Sequence, residues 1–220
     1  PTKYDGEIEW WIGLTGKGVR ATLQDARGDR YRLGTLVVED GKINFRPVSD
    51  QPAGHVFARA DRGWGQDLIP TDRYIKNTYE VLSWVNRLTA EKPMTDHEFL
   101  GPAGQVEHSE FGDLHIWVNY GDEPFEVETP EPLRPVASAP TTLPPHGFLV
   151  LSPQFVAFHA TDFGGMKCDE SALFTARSLD GEPLWESKRV RVFHGFGDPR
   201  LRLCGKEFRV EREAVVTPRW

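Results

Sequence analysis

The chain has 220 residues, 39% hydrophobic and 27% charged, the composition of a folded globular protein rather than a disordered one. A formal net charge of −7 argues against a phosphate-backbone ligand, so nucleic acid is not an expected partner. No apolar run approaches the ~20 residues of a membrane span.

The N-terminal stretch reads as successive short strands. Glu7 to Leu14 ends at the turn Thr15-Gly16-Lys17-Gly18. Val19 to Leu23 and Tyr31 to Val38 flank a loop at Asp25 to Asp29, and Asp40-Gly41 centres a turn into Ile43 to Val48. Gln51-Pro52-Ala53-Gly54 breaks this meander and His55 to Ala60 resumes it. A helical period then appears in Ile69 to Leu88. Tyr74, Ile75, Thr78, Tyr79, Leu82, Val85 and Leu88 have the spacing of one buried face. Thr71 is a candidate N-cap, Asp72 suits the positive end of the dipole, and Pro93 stops the helix.

Strand signals return after the helix. Val106 to Phe111 is short, and Leu114 to Asn119 alternates, with Leu114, Ile116 and Val118 on one face and His115, Trp117 and Asn119 on the other. Six prolines within residues 128–146 (130, 132, 135, 140, 144 and 145) make that stretch extended and loop-like, either a boundary or a long edge loop. Phe148 to Leu151, Phe155 to Ala160, Ala172 to Arg177, Arg189 to Phe193, Leu201 to Leu203 and Glu207 to Val210 complete a series of short strands. The expected fold is mainly β, an antiparallel β-sandwich-like architecture with one long packed helix over about residues 71–90. The expected regions are residues 1–93, β-rich with the helix, and residues 94–220, the antiparallel sandwich.

Few residues carry recognisable chemistry. In Arg62-Gly63-Trp64-Gly65-Gln66-Asp67, two glycines allow a sharp turn that presents an indole beside an amide and a carboxylate. Trp64, Gln66 and Asp67 suit a sugar, whose ring face meets the indole and whose hydroxyls meet the polar groups. The plain alternative is a tight turn whose tryptophan anchors the helix. Trp117, with His115 and Asn119, offers a second ligand-facing surface, or a face packed under a loop. Asp96-His97-Glu98 lacks HExxH spacing, so no metal site is expected, and a polar turn explains it. Cys168 and Cys204 are too far apart in sequence for a zinc CxxC signature and too few for a disulfide framework, which leaves the redox compartment open. No GxSxG, GxxxxGK[ST] or post-strand GxGxxG occurs, so no cofactor is expected. Asp61, Asp67, Asp72, Asp96 and Glu98 are available as carboxylates, but sequence spacing defines no catalytic pair among them.

One resemblance bears on function. GWGQDLIPTDRYIKNTYEVLSWVNRLTAEKPMTDHEFL, residues 63–100, resembles the end of a (β/α) barrel: a strand-end loop, the last helix and a passage into a β domain. FGDLHIWVNYGDEPFEVE, the Leu143 to Ala160 segment and ALFTARSLDGEPLWESKRVRVF resemble the antiparallel sandwich that trails the catalytic barrel of large glycoside hydrolases. The resemblance implies the C-terminal accessory part of such an enzyme, acting on a poly- or oligosaccharide, with an upstream catalytic domain as partner. Pro1 is not a natural start, which fits that expectation. Residues 1–60 do not read as repeated βα units, so the catalytic machinery is expected to be absent or partial. Asp67 is the position to watch, because active groups of barrels collect at the C-terminal ends of strands. Two other readings stand beside this one. One is a stand-alone carbohydrate-binding β module. The other is a lipocalin-like barrel for an apolar ligand, suggested by Glu9-Trp10-Trp11 before Thr15-Gly16.

Overall fold

The computed structural model describes residues 10–15, 18–24, 30–39, 42–47, 55–101 and 104–218, the first four segments by their backbone. Contacts divide the chain into two compact units, Pro1–His55 and Val56–Trp220. The first unit contains β1 (Trp10–Thr15), β2 (Gly18–Gln24), β3 (Arg30–Glu39) and β4 (Lys42–Pro47). They form an antiparallel meander in sequence order, as the alternation of strand and turn signals predicts. Residues 7–9, the turn centres at 16–17, 25–29 and 40–41, and the break at 51–54 lie outside the described residues.

The second unit opens with a 3₁₀ turn, Val56–Ala58, where the sequence predicts a strand. Helix side chains take the backbone groups that a ladder would have used. The Phe57 carbonyl accepts from Asn77 Nδ2 at 2.7 Å and the Ala58 carbonyl from Arg73 Nε at 2.7 Å. A second 3₁₀ turn, Trp64–Asp67, leads into α1 (Pro70–Thr89). The helix covers the predicted span, but its N-cap is Ile69, not Thr71, and no side chain caps it. Pro70 occupies the first turn, where its fixed φ is already helical and its missing N–H costs nothing.

The strands after α1 are β5 (Asp96–Leu100), β6 (Val106–Phe111), β7 (Leu114–Asn119), β8 (Phe125–Val127), β9 (Thr141–Leu143) and β10 (Phe148–Leu151). They continue as β11 (Phe155–Phe163), β12 (Met166–Ser178), β13 (Val190–Phe196), β14 (Arg200–Leu203), β15 (Lys206–Arg209) and β16 (Glu213–Val216). Ten of them make one sheet: eight follow the path β16-β13-β12-β11-β10-β7-β6-β5, and the pair β8–β9 joins it off that path through β11. Every pairing in it is antiparallel, and β14 and β15 form a separate ribbon. An irregularity between Ala160 and Asp162 shifts the β11 register, and past it Asp162 pairs with Thr142 of β9. The fold is therefore mainly β and sandwich-like with a helix, as expected. β5 corrects the reading of Asp96-His97-Glu98 as a turn: it is a polar edge strand, and its exposed charges discourage further strand addition.

Period-two alternation gives the sheet two apolar faces. Val150, Phe155, Ala157, Leu173 and Phe196 face α1, meeting Val81 and Val85. Leu149, Val156, Phe158, Phe174 and Val192 face the other way, under Leu133, Val136, Leu201 and Leu203. The proline-rich segment is thus a covering layer of this core and contributes β9 to the sheet.

The buried side of α1 matches the expected one only in part: Val85 is buried and Leu88 packs beside it, but other expected positions face outward. Asn77, Glu80, Val81 and Val85 are buried, whereas Ile75, Tyr79 and Leu82 are 58%, 63% and 47% exposed. The helix carries two apolar stripes, and the sheet takes the one that brings Glu80 to Arg191. Glu80 accepts from Arg191 at 2.6 and 2.9 Å and from Lys76 at 2.7 Å. Burial alone would raise its pKa, and these cations overcome that and hold it below the ordinary carboxylate range. Leu82→Asp is therefore expected to change the urea-unfolding free energy by less than about 0.5 kcal/mol, whereas Val81→Asp should cost several-fold more. Equal losses would put both residues on buried surface.

Candidate functional site

Trp64, Gln66 and Asp67 share the second 3₁₀ turn, against β13 and α1. Trp64 is half-buried, and the Lys76 ammonium lies 4.6 Å from its ring centre, a cation–π contact that occupies the indole. Gln66 and Asp67 are exposed, and Asp67 pairs with Arg212 at 2.6 Å. Trp117 is buried in the core on the sheet face opposite α1. Its strand β7 lies four strands from β13, about 19 Å at the usual strand spacing. The structure brings Trp64, Gln66 and Asp67 together and leaves Trp117 in a different place. Among the carboxylates named from sequence, Asp61 pairs with Arg59 at 2.6 Å and Glu98 with His108 at 2.9 Å.

A cleft of about 340 Å³ opens between α1 and the sheet, a size suited to a small ligand. Trp84 lines it. Arg87 and Arg177 place their guanidinium carbons 4.8 and 4.7 Å from the indole centroid, and Phe155 lies 6.4 Å from it, ring to ring. Tyr79 and Arg191 also line the cleft. Two buried donors here have no acceptor among the described residues: Trp84 Nε1 and Arg177 Nε. A buried donor without a partner costs about 1–3 kcal/mol, so a small movement of the cleft wall that brought either atom to a ligand acceptor would recover that cost. Glu80 is already held by Arg191 and Lys76, so Arg87 and Arg177 leave the cleft positive. Trp84 belongs to no motif in the sequence and falls outside the expected apolar face of the helix. Arg177 arrives from β12, ninety-three positions away, and no local signal joins the two.

The other face of the sheet carries a second polar group. Strand register sets Glu98 of β5 opposite His108 of β6, and Glu110 of β6 opposite His115 of β7. His108 Nε2 and His115 Nδ1 are 3.2 Å apart, and His115 Nδ1 is 3.2 Å from Glu110 Oε1. Trp117 stacks under His108 at 4.5 Å between ring centres with planes 1° apart. Burial lowers the pKa of His115, and the nearby Glu110 carboxylate opposes the shift without cancelling it. Asn119, on the same strand face, is structural: its Nδ2 donates to the carbonyls of Glu123 and Pro144, and its Oδ1 accepts from Gly121 N.

Comparison with family models, with curated proteins and with solved structures finds no match for the chain. No helix among the described residues is long and apolar enough to cross a membrane.

Proposed function

We propose that this chain is the accessory β part of a carbohydrate-active protein, as its sequence resemblance to glycoside hydrolase C-terminal regions implies, and that it holds an acidic saccharide in the α1 cleft. The observation that carries the ligand reading is the pair of unpartnered buried donors, Trp84 Nε1 and Arg177 Nε, in a cleft of net positive charge. A uronate carboxylate or a sugar sulfate supplies the acceptors and the charge, and Tyr79 at the rim supplies apolar surface for a ring face.

The exposed helix positions Ile75, Tyr79 and Leu82 favour an accessory part over a stand-alone module, because an exposed apolar stripe of this kind marks a docking face. The lipocalin-like reading rests on Glu9, Trp10 and Trp11, and Glu9 lies outside the described residues. The backbone of Trp10–Thr15 forms the first strand of the four-stranded meander.

Calorimetric titration with an oligogalacturonate, a sulfated oligosaccharide and a neutral oligosaccharide of equal length tests the ligand. Binding of an acidic sugar is expected, with affinity about tenfold lower or worse in Trp84→Phe, which keeps the aromatic surface and removes the N–H. Loss in Trp64→Ala with full binding in Trp84→Phe would move the site to the Trp64–Asp67 turn. No heat with any sugar would remove the saccharide reading. The mass of the native polypeptide tests the accessory role: a longer chain bearing a catalytic domain is expected, and a mature protein of these residues alone would favour the stand-alone module.

A further inference from the structure

We propose that His108 Nε2, Glu110 Oε1 and His115 Nδ1 form a binding site for one divalent transition-metal ion of the zinc type. The three atoms are separated by 3.2, 3.2 and 3.7 Å. A circle through three points so spaced has a radius of about 2.0 Å, so a single ion just off their plane reaches all three at zinc–nitrogen and zinc–oxygen bond lengths of about 2.0–2.2 Å. The same separations match the edges of a tetrahedron of such bonds, about 3.3 Å. The set leaves the fourth corner for water or a ligand, on the side where Glu110 and His115 retain solvent access.

The sequence builds this arrangement through strand geometry. His108 and Glu110 are two residues apart on β6 and so share a face. The Gly112-Asp113 turn sets the β6–β7 register that brings His115 opposite Glu110 and Trp117 opposite His108. Trp117 stacks on both imidazoles, at 4.5 and 5.5 Å, and fixes their planes from beneath.

A second observation points to a cation. Glu98 Oε1 lies 2.9 Å from His108 Nδ1, the carboxylate–histidine relation that orients metal-bound imidazoles. With Nδ1–H donating this hydrogen bond to Glu98, Nε2 keeps a lone pair directed at the cluster. Glu110 brings a carboxylate, and His115 Nδ1 has at most one proton to satisfy both neighbours. Three acceptor atoms thus converge with one hydrogen among them, and a dication satisfies all three. Two imidazoles and one carboxylate select zinc, nickel, copper or iron(II) over calcium or magnesium, which prefer all-oxygen shells.

Metal-stripped full chain titrated with Zn(II) by calorimetry, and with Co(II) by visible absorption, tests the site. One equivalent is expected, with a tetrahedral cobalt spectrum. His115→Ala should abolish binding, and Glu98→Gln should weaken it ten- to hundredfold. His97→Ala is the control, since that side chain pairs with Glu107 away from the three atoms. Near-UV circular dichroism establishes that each variant is folded, and Glu110→Gln provides a second loss-of-ligand test should His115→Ala unfold. Absence of metal uptake by the folded wild type, or uptake unchanged in both Glu110→Gln and His115→Ala, would overturn the proposal. So would displacement of zinc by equimolar calcium.

Discussion

Gly197→Ala is expected to destabilise the protein by about 4 kcal/mol, near the upper end of single substitutions. Gly197 has φ +90°, a region that L side chains rarely adopt, and this alone costs about 1–3 kcal/mol. A Cβ there would sit 2.0 Å from the Ser171 carbonyl oxygen and 2.8 Å from Ala172 Cα. Both are backbone atoms of the neighbouring strand β12, so no side chain can rotate away, and overpacking adds about 1–3 kcal/mol more. The Gly197 N–H also donates to the Asp61 carbonyl at 2.8 Å, tying the loop before α1 to the end of β13. Gly63, on that loop, would meet Gly195 of β13 with a Cβ 2.2 Å from its carbonyl oxygen. These glycines let backbone lie on backbone, and that contact places the Trp64–Asp67 turn and the entry to α1. Urea unfolding of Gly197→Ala beside Gly112→Ala separates the two contributions. Gly112 has φ +68° and nothing within 4 Å of its would-be Cβ, so its variant should lose only the conformational part, about 1 kcal/mol. Equal midpoints for the two variants would show that the close approach at Gly197 carries no weight.

The same loop shows what the sequence could and could not convey. The span of α1 was legible because Thr71 and Asp72 at one end and Pro93 at the other bracket a 3.6-residue period. Its buried side was legible only in part: Val85 and Leu88 pack on the sheet as expected, but the helix offers two neighbouring stripes, and the exposed one holds Ile75, Tyr79 and Leu82. The choice between them was made by residues distant in sequence. Asn77 is satisfied by Phe57 and Glu80 by Arg191, and partners 20 and 111 positions away leave no local trace. The strand β7 was legible through alternation and β10 and β11 as apolar runs either side of Ser152-Pro153, while β5 looked like a turn because it opens on three consecutive polar residues, Asp96, His97 and Glu98. The candidate metal ligands illustrate the limit best. His108-x-Glu110 and His115 lie within eight residues, and both strands were recognised, yet the cluster depends on register. One residue of slip would turn His115 to the opposite face. A reading that paired the β6–β7 hairpin through its Gly112-Asp113 turn would have found Glu110 opposite His115. The cleft offered no comparable route, since Trp84 and Arg177 meet through the packing of helix on sheet.

Stability is expected to fall by about 3 kcal/mol as pH drops from 6.5 to 4, through His159. Burial is the main cause of its pKa being lowered from 6.5 to about 4, the backbone of His146 partly opposes it, and the charge of Arg59 adds to the lowering. The imidazole is almost wholly buried, with Nε2 3.1 Å from Ser171 Oγ, and Ser171 Oγ also accepts from Arg59 Nη1 at 2.5 Å. Between pH 6.5 and 4 the unfolded chain binds a proton at this position and the folded chain does not. Lowering pH through that window therefore favours unfolding. The contribution is fully present above 6.5, is lost as pH approaches 4, and changes no further below it. His194, whose pKa burial also lowers, acts in the same direction. Glu80 and Asp198, both held below their ordinary range, add losses at still lower pH as they protonate. Urea midpoints measured at half-unit steps from pH 7 to 4 should fall steadily in the wild type. His159→Gln, which keeps a hydrogen-bonding side chain but has no proton to gain, should show a distinctly shallower slope over the same range. A wild-type midpoint flat from pH 6.5 to 4 would mean that the His159 pocket admits a charged imidazole.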